Sequence, residues 1–216
     1  MHVYLETERV VLRRFTEADA SLLVELDSDP EVMRYLTGGP PIPAEVIEND
    51  ILPAYFGYYE RGDRYGYWAA IEKSTGDFLG WFHFRPGEGA GPDEAELGYR
   101  LRRAAWGKGY GTEVSRTLIR KGFTELGVRR VVASTYEHNI GSRRVMEKAG
   151  MTLVRTYRLT PEQLLEMFGI TAPELFDGDD VEYALERADW ERQEASGRPS
   201  KASKTPDDAV QQERWG

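Results

Sequence analysis

The chain has no cysteine among its 216 residues. That absence excludes disulfide bridges, thiolate metal centres and a covalent acyl-cysteine intermediate. Histidine is nearly absent too: His2, His83 and His138 are the only three, and they are too scattered to suggest a metal site, so no metal is expected. No segment approaches the run of about 18 apolar residues that a membrane span requires. The start, Met-His-Val-Tyr-Leu-Glu, lacks the basic-then-apolar pattern of an export signal. A cytoplasmic protein with no membrane partner is the expectation.

Positive charge is also in deficit, with 28 Lys and Arg against 37 Asp and Glu and a net charge of -9, which argues against a nucleic-acid partner. The distribution says more than the sum. Twelve of the 28 basic residues but only four of the 37 acidic ones fall between Arg100 and Lys148. A basic segment of this kind suits a polyanionic ligand, and an acidic remainder suits a cationic one.

What the chain does have is glycine at Gly107, Gly109 and Gly111, inside the stretch Glu96-Leu-Gly-Tyr-Arg-Leu-Arg-Arg-Ala-Ala-Trp-Gly-Lys-Gly-Tyr-Gly-Thr-Glu113. Leu97, Tyr99 and Leu101 alternate with Glu96, Gly98 and Arg100 at the period of a strand, and a helix follows the glycines. Alternate glycines remove each Cβ that would keep a ligand off the backbone, and the free amides of a helix start attract anionic oxygens. The stretch reads as a phosphate cradle. Its Gly-x-Gly-x-Gly spacing fits neither the nucleotide P-loop nor the dinucleotide fingerprint, which disfavours a nucleotide-binding module.

Trp106-Gly-Lys-Gly-Tyr-Gly111 resembles the pyrophosphate loop of the GNAT superfamily of acyl-CoA-dependent N-acetyltransferases, with Trp106 where that pattern has Gln or Arg. Aromatic-Gly-x-Gly-Tyr is similar to the loop of the ribosomal-protein N-terminal (Rim-type) branch. A second stretch, His138-Asn-Ile-Gly-Ser-Arg-Arg-Val-Met-Glu-Lys-Ala-Gly-Met151, resembles the family's Asn-led helix and its closing Gly turn. On its own terms Asn139 can cap that helix and Gly150 can end it. The two motifs lie in the order the family requires, and the likeness spans roughly Thr7 to Trp190.

The resemblance implies an α+β three-layer fold: a mixed, mostly antiparallel central sheet of about seven strands flanked by helices, with acyl-CoA in the cleft between the fourth and fifth strands. It implies an enzyme that transfers acetyl directly from acetyl-CoA to a primary amine, either a protein N-terminus or a small cationic amine, working as a monomer or homodimer. A catalytically weak acyl-CoA sensor is the alternative. Residues 1–190 would form the acetyltransferase domain and 191–216 a polar, disordered tail.

By the same likeness, a backbone amide near Tyr99 to Leu101 would stabilise the oxyanion, and Tyr99, Leu101 and Arg102 would bind the cofactor, the strand's outer residues hydrogen-bonding its pantetheine arm. Gly107, Lys108, Gly109, Tyr110, Gly111 and Thr112 would cradle the diphosphate, and Asn139 and Ser142 would border the cofactor. Glu96 is the candidate base, with Glu94 and Tyr136 as further candidates. Ser142 is the candidate acid, because Met146 stands where many relatives carry a Tyr; the other reading of Ser142 is a residue of the helix's first turn. Tyr55, Phe56, Tyr58 and Tyr59 either line the acceptor pocket or fill core. His83, in a strand, and His138, beside Asn139, read as structural.

Replacing Gly109 with Val is expected to abolish acetyl-CoA binding by placing branched carbons where phosphate approaches. Calorimetry on the folded variant checks this, and unchanged affinity would remove the loop from the site.

Overall fold

The computed structural model describes residues 2–36, 40–87, 89–158, 160 and 178–197. Its centre is an eight-stranded sheet in the order β1-β2-β3-β4-β5-β6-β8-β7. The strands are β1 Val3–Glu6, β2 Val10–Arg13, β3 Gly66–Glu72, β4 Phe78–Arg85, β5 Glu94–Leu101, β6 Arg130–Tyr136, β7 Thr152–Tyr157 and β8 Asp180–Glu186. Every pairing is antiparallel except that of β5 with β6. The eighth strand, beyond the seven or so expected, is β1. It forms a hairpin with β2, whereas the alternation in the sequence shows only the strand within Arg9 to Phe15.

Strand β4 shows why the sheet lies in the middle. Phe78-Leu-Gly-Trp-Phe-His-Phe84 is buried at every position, the continuous run expected of a strand covered on both faces. On one face, α5 (Tyr110–Thr124) and α6 (Ile140–Lys148) set Val114, Leu118, Ile119 and Met146 against Phe82, Phe84, Leu97 and Val131. Burying each of these large side chains contributes about 1.5–3 kcal/mol.

The opposite face carries α1 (Ala20–Asp27), α2 (Pro30–Met33), α3 (Ala44–Val46) and α4 (Leu52–Glu60). These bring Leu23, Leu26, Leu52 and Tyr55 against Phe15, Ala69 and Trp81. Thr16 and Asp19 form the expected capping box, which opens a 3-10 turn leading into α1. Pro53, whose missing N–H would be expected to kink or end a helix from Ala44 to Glu60, does not end it: a π-helical turn, Ile47–Ile51, joins α3 to α4, and Pro53 falls in the first turn of α4.

Residues 191–195 are not a tail but the second half of α7 (Arg187–Ala195). Local charge pairs lie along this helix: Arg187 with Glu191 at 2.9 Å, and Arg192 with Asp189. Gln193 reaches the Gly150 carbonyl at 3.1 Å, and Trp190 packs on Phe123 with ring centroids 5.5 Å apart. Thr160-Pro-Glu-Gln163 reads as the cap of a helix to Phe168, and Gly38-Gly39 as the stop of the helix begun at Asp29-Pro30; the rest of the first and the whole of the second lie outside the described residues, as does the segment after residue 197. Among the described residues, no helix is long and apolar enough to cross a membrane.

Helix α5 approaches the sheet most closely at Gly122, where an added Cβ would lie 2.5 Å from Cζ of the fully buried Phe84. Gly122→Ala is expected to cost about 1–3 kcal/mol through overpacking, read as a lowered midpoint in urea unfolding.

Candidate active site

The site begins where two strands part. β5 and β6 pair in parallel only from Glu94–Glu96 to Arg130–Val132. Beyond that point β6 stays bonded to β8 as far as Tyr136, while β5 runs on to Leu101 beside β4. On the opening side the β5 backbone therefore has no strand partner, and such an edge can pair with an extended ligand. Tyr99 spans the opening. Its hydroxyl lies 3.0 Å from both the carbonyl and Oγ of Ser142 on α6.

The opened edge leads into the glycine loop. After a 3-10 turn at Arg103–Ala105, Gly107 and Gly109 take φ of 73° and 86°, a left-handed geometry that strains any residue with a Cβ. Nothing lies within 4 Å of a Cβ built on Gly107. Gly109 caps α5 with no side-chain partner, so the first-turn amides remain available to an anion. Lys108 is exposed beside them. Gly111, by contrast, serves packing: its Cβ would meet Val145 of α6 at 3.2 Å.

A clamp from the β1–β2 hairpin fixes the loop's shape. Glu113 accepts hydrogen bonds from the Thr7 hydroxyl at 2.6 Å, the Arg9 amide at 2.9 Å and Arg9 Nε at 2.7 Å. Arg9 Nη1 donates to the Lys108 carbonyl at 3.0 Å, and the guanidinium lies over the Tyr110 ring. Burial works to raise the Glu113 carboxyl, but these donors outweigh it and hold the group below the usual carboxylate range. Tyr110 turns its hydroxyl to Glu72, so toward a loop ligand it offers backbone alone.

Arg102 is held by Glu25 and by the Phe78 carbonyl, not by the loop. Leu101 packs on the core and accepts a bond from the indole of the exposed Trp106 at 2.8 Å. Asn139 caps α6, accepting from the Ser142 amide at 3.2 Å and donating to Thr135 Oγ1 at 3.1 Å. Met146 is 2% exposed and belongs to the core. Thr112 is half-buried in the first turn of α5.

Tyr99 is pushed above the usual phenol range by burial, against a smaller opposing effect of its Ser142 hydrogen bond, so it keeps its proton. When the phenol donates to Ser142 Oγ, the serine proton is free to point into the opening.

The other face of β5 carries charge. Glu96 Oε2 pairs with Arg85 Nη2 at 3.0 Å, and Arg100 pairs with the buried Asp27 of α1 at 2.5 Å. Burial would raise the Glu96 carboxyl, but the neighbouring His83 and Arg85 prevail and lower it. Glu94 is paired with Arg130 at 3.0 Å. Tyr136, at the end of β6, packs against Tyr35 and His138. Tyr55 and Tyr59 are mainly structural: the first stacks on Tyr67 at 4.0 Å, and the hydroxyl of the second bonds the Phe15 amide and the Tyr67 carbonyl.

The sequence reading missed the roles of Arg9, Arg85 and Asp27, because each acts through a partner 73 or more positions away or on another strand. It also gave His83 only a structural place. The available signal was Gly98, since a glycine inside a strand marks a close approach. The approaching group is the His83 ring, which occupies the space a Cβ at Gly98 would take. Among the described residues, no group of three or more His, Asp or Glu is placed to hold a metal ion.

Comparison with known proteins gives a consistent result. Residues 9–152 match the acetyltransferase (GNAT) domain family. An Aspergillus fumigatus protein named FsC-acetyl coenzyme A-N(2)-transacetylase is 27% identical, covering 87% of this chain and 78% of its own. The Bacillus subtilis protein YkkB is 32% identical over 71% of this chain and 88% of its own. Among solved structures, a GNAT-family acetyltransferase from Bacillus anthracis superposes with a TM-score of 0.69 at 23% identity, covering 87% of this chain and 99% of that one. An aminoglycoside acetyltransferase solved in complex with coenzyme A gives 0.63 at 22%, covering 86% and 99%.

Arg9→Leu removes the guanidinium that ties Glu113 to the Lys108 carbonyl. The dissociation constant for coenzyme A is expected to rise roughly tenfold, the equivalent of about one charge-assisted hydrogen bond's net worth; calorimetry reads it directly.

Proposed function

The chain belongs to the GNAT acetyltransferase family and is an acyltransferase; from that premise we propose that it acetylates a primary amine, in the manner of the Rim-type branch. The observation that carries this reading is the bare edge of β5 leading into the uncapped first turn of α5. An extended pantetheine arm finds main-chain partners along that edge, and its diphosphate finds amides at the end. Acetyl-CoA supplies the activated acyl group as a substrate. Tyr99 and Leu101 hold the arm; Gly107 to Thr112 hold the diphosphate, with Lys108 as a counter-charge. Arg102 and Asn139 shape the walls through their own partners.

An alkylammonium has a pKa near 10.4, so its proton must be removed before the nitrogen can attack. Glu96 lies at the point of parting and accepts that proton, passing it to solvent. The neutral nitrogen attacks the thioester carbon, and a β5 amide stabilises the oxyanion. The nitrogen sheds its second proton to solvent as the intermediate collapses and the carbon–sulfur bond breaks. The departing thiolate is weakly basic, with a thiol pKa of about 8.5, and the Ser142 hydroxyl supports it by donating a hydrogen bond until water protonates it. The products are the amide, the free thiol and one proton released to solvent.

The Rim-type assignment draws on the Trp106-Gly-Lys-Gly-Tyr110 loop and on Ser142 in the helix that follows Asn139. For the acceptor, the acidic balance outside residues 100–148 favours a cationic amine, either a protein N-terminus or a small molecule. The Aspergillus relative, whose name specifies acetyl transfer to a nitrogen, is in keeping with this.

The test measures release of free thiol from acetyl-CoA against N-terminal peptides, polyamines and aminoglycosides. At least one is expected to raise the rate well above that with no amine, and no response across the panel would defeat the reading. Ser142→Ala is expected to lower kcat roughly tenfold, the loss of one hydrogen bond to a charged group, while acetyl-CoA affinity stays within about twofold. Equal turnover would take Ser142 out of the mechanism.

A further inference from the structure

Beneath Glu96 lies a histidine with nothing else to bond. His83 is 7% exposed, and neither ring nitrogen has a hydrogen-bond partner. A buried, unpartnered imidazole costs free energy, so its position calls for a reason. The ring is fixed by its neighbours. Tyr67 of β3 meets it edge-on at 5.0 Å, and Trp81 of β4 stacks at 5.8 Å. In the sheet register His83 sits between Tyr67 and Gly98. A Cβ on Gly98 would come within 2.4 Å of His83 Cε1, so the imidazole lies across β5 only because residue 98 is glycine.

From there Nε2 points toward Glu96, 3.6 Å from Oε1, a few tenths of an ångström short of a hydrogen bond. The other oxygen of the same carboxylate is held by Arg85, itself steadied by Tyr67 at 2.9 Å. The charged groups around the ring are therefore Glu96 and Arg85. Beyond Trp81 stands the Arg100–Asp27 pair, and from α4 Tyr55 and Tyr58 pack on Tyr67.

We propose that His83 is a positioning residue for acyl transfer: as the neutral Nε2–H tautomer it donates to Glu96 and, with Arg85, keeps that carboxylate ionised and aimed at the incoming amine. This rests on Glu96 being the base. Burial pushes His83 below the usual imidazole range, consistent with a neutral ring. Arg85 meets one oxygen of the carboxylate at 3.0 Å and His83 Nε2 faces the other at 3.6 Å, so the group stays ready to accept a proton in mildly acid solution. Removing the imidazole leaves burial opposed by Arg85 alone and raises the Glu96 pKa.

The experiment is the pH dependence of kcat/KM for His83→Phe relative to wild type, using acetyl-CoA and the fastest amine of the panel. Taking the ratio cancels the ionisation of the acceptor itself. The ratio is expected to fall roughly tenfold between pH 8 and pH 5 as Glu96 protonates. For His83→Gln, which keeps an N–H donor, it should stay independent of pH. A ratio for His83→Phe that is flat with pH, however low, marks packing damage alone and overturns the proposal when Glu96→Gln is inactive. If Glu96→Gln turns over like wild type, the base assignment itself fails, and the role of His83 with it. Nitrogen-15 NMR gives an independent reading, because only three histidines must be distinguished. A neutral Nε2–H signal for His83 supports the proposal, and an Nδ1–H tautomer overturns it.

Discussion

The molecule depends on two parallel strands that stop pairing after three residues. Within a sheet each strand satisfies its neighbour's backbone, so an unpaired stretch in the interior is costly unless something replaces the missing partner. Here β5 stays bonded to β4 throughout, and β6 to β8. Within the sheet's interior the deficit is confined to the two facing edges, where a foreign chain-like molecule can take the partner's place without disturbing the rest. Everything else at the site arranges chemistry around that gap. Ser142 and Tyr99 lie on one side of the sheet, and Glu96 with its clamps lies on the other.

The loop that ends the gap is shaped from a distance. Its glycines provide the conformations but no rigidity, and glycine-rich backbone carries a large entropy cost when it is ordered. The structure answers with Arg9 and Glu113, which join the β1–β2 hairpin to the first turn of α5 through four hydrogen bonds that count both side chains and the Lys108 carbonyl. A ligand meeting this loop finds the amides already aligned, so less of its binding free energy is spent on ordering. The hairpin, remote from the reacting atoms, is thus part of the site.

Much of this was legible in the residues. Leu97, Tyr99 and Leu101 alternate clearly, the glycine triplet is local, and Asn139 with Gly150 marks both ends of α6, so the cradle and the following helix could be placed from sequence alone. Strand β1 was hidden because Val3-Tyr-Leu-Glu6 is too short to show a period without its hairpin partner. Helix α7 was hidden because Arg187–Ala195 is mostly polar and carries no apolar stripe, and what holds it, Gln193 on Gly150 and Trp190 on Phe123, is tertiary. The polar pairs followed the same rule. Thr16 with Asp19 lies within one turn and is legible as a capping box, whereas Arg100 with Asp27 and Arg9 with Glu113 join residues far apart in sequence.

The hydroxyl bridge between Tyr99 and Ser142 has a mechanical side. Past the point of parting, it is a polar tie joining one half of the sheet to the helix that rides on the other half. Because the phenol also meets the Ser142 carbonyl, an occupant that recruits the Ser142 hydroxyl leaves that second contact in place, and the two halves stay joined while the cleft is filled.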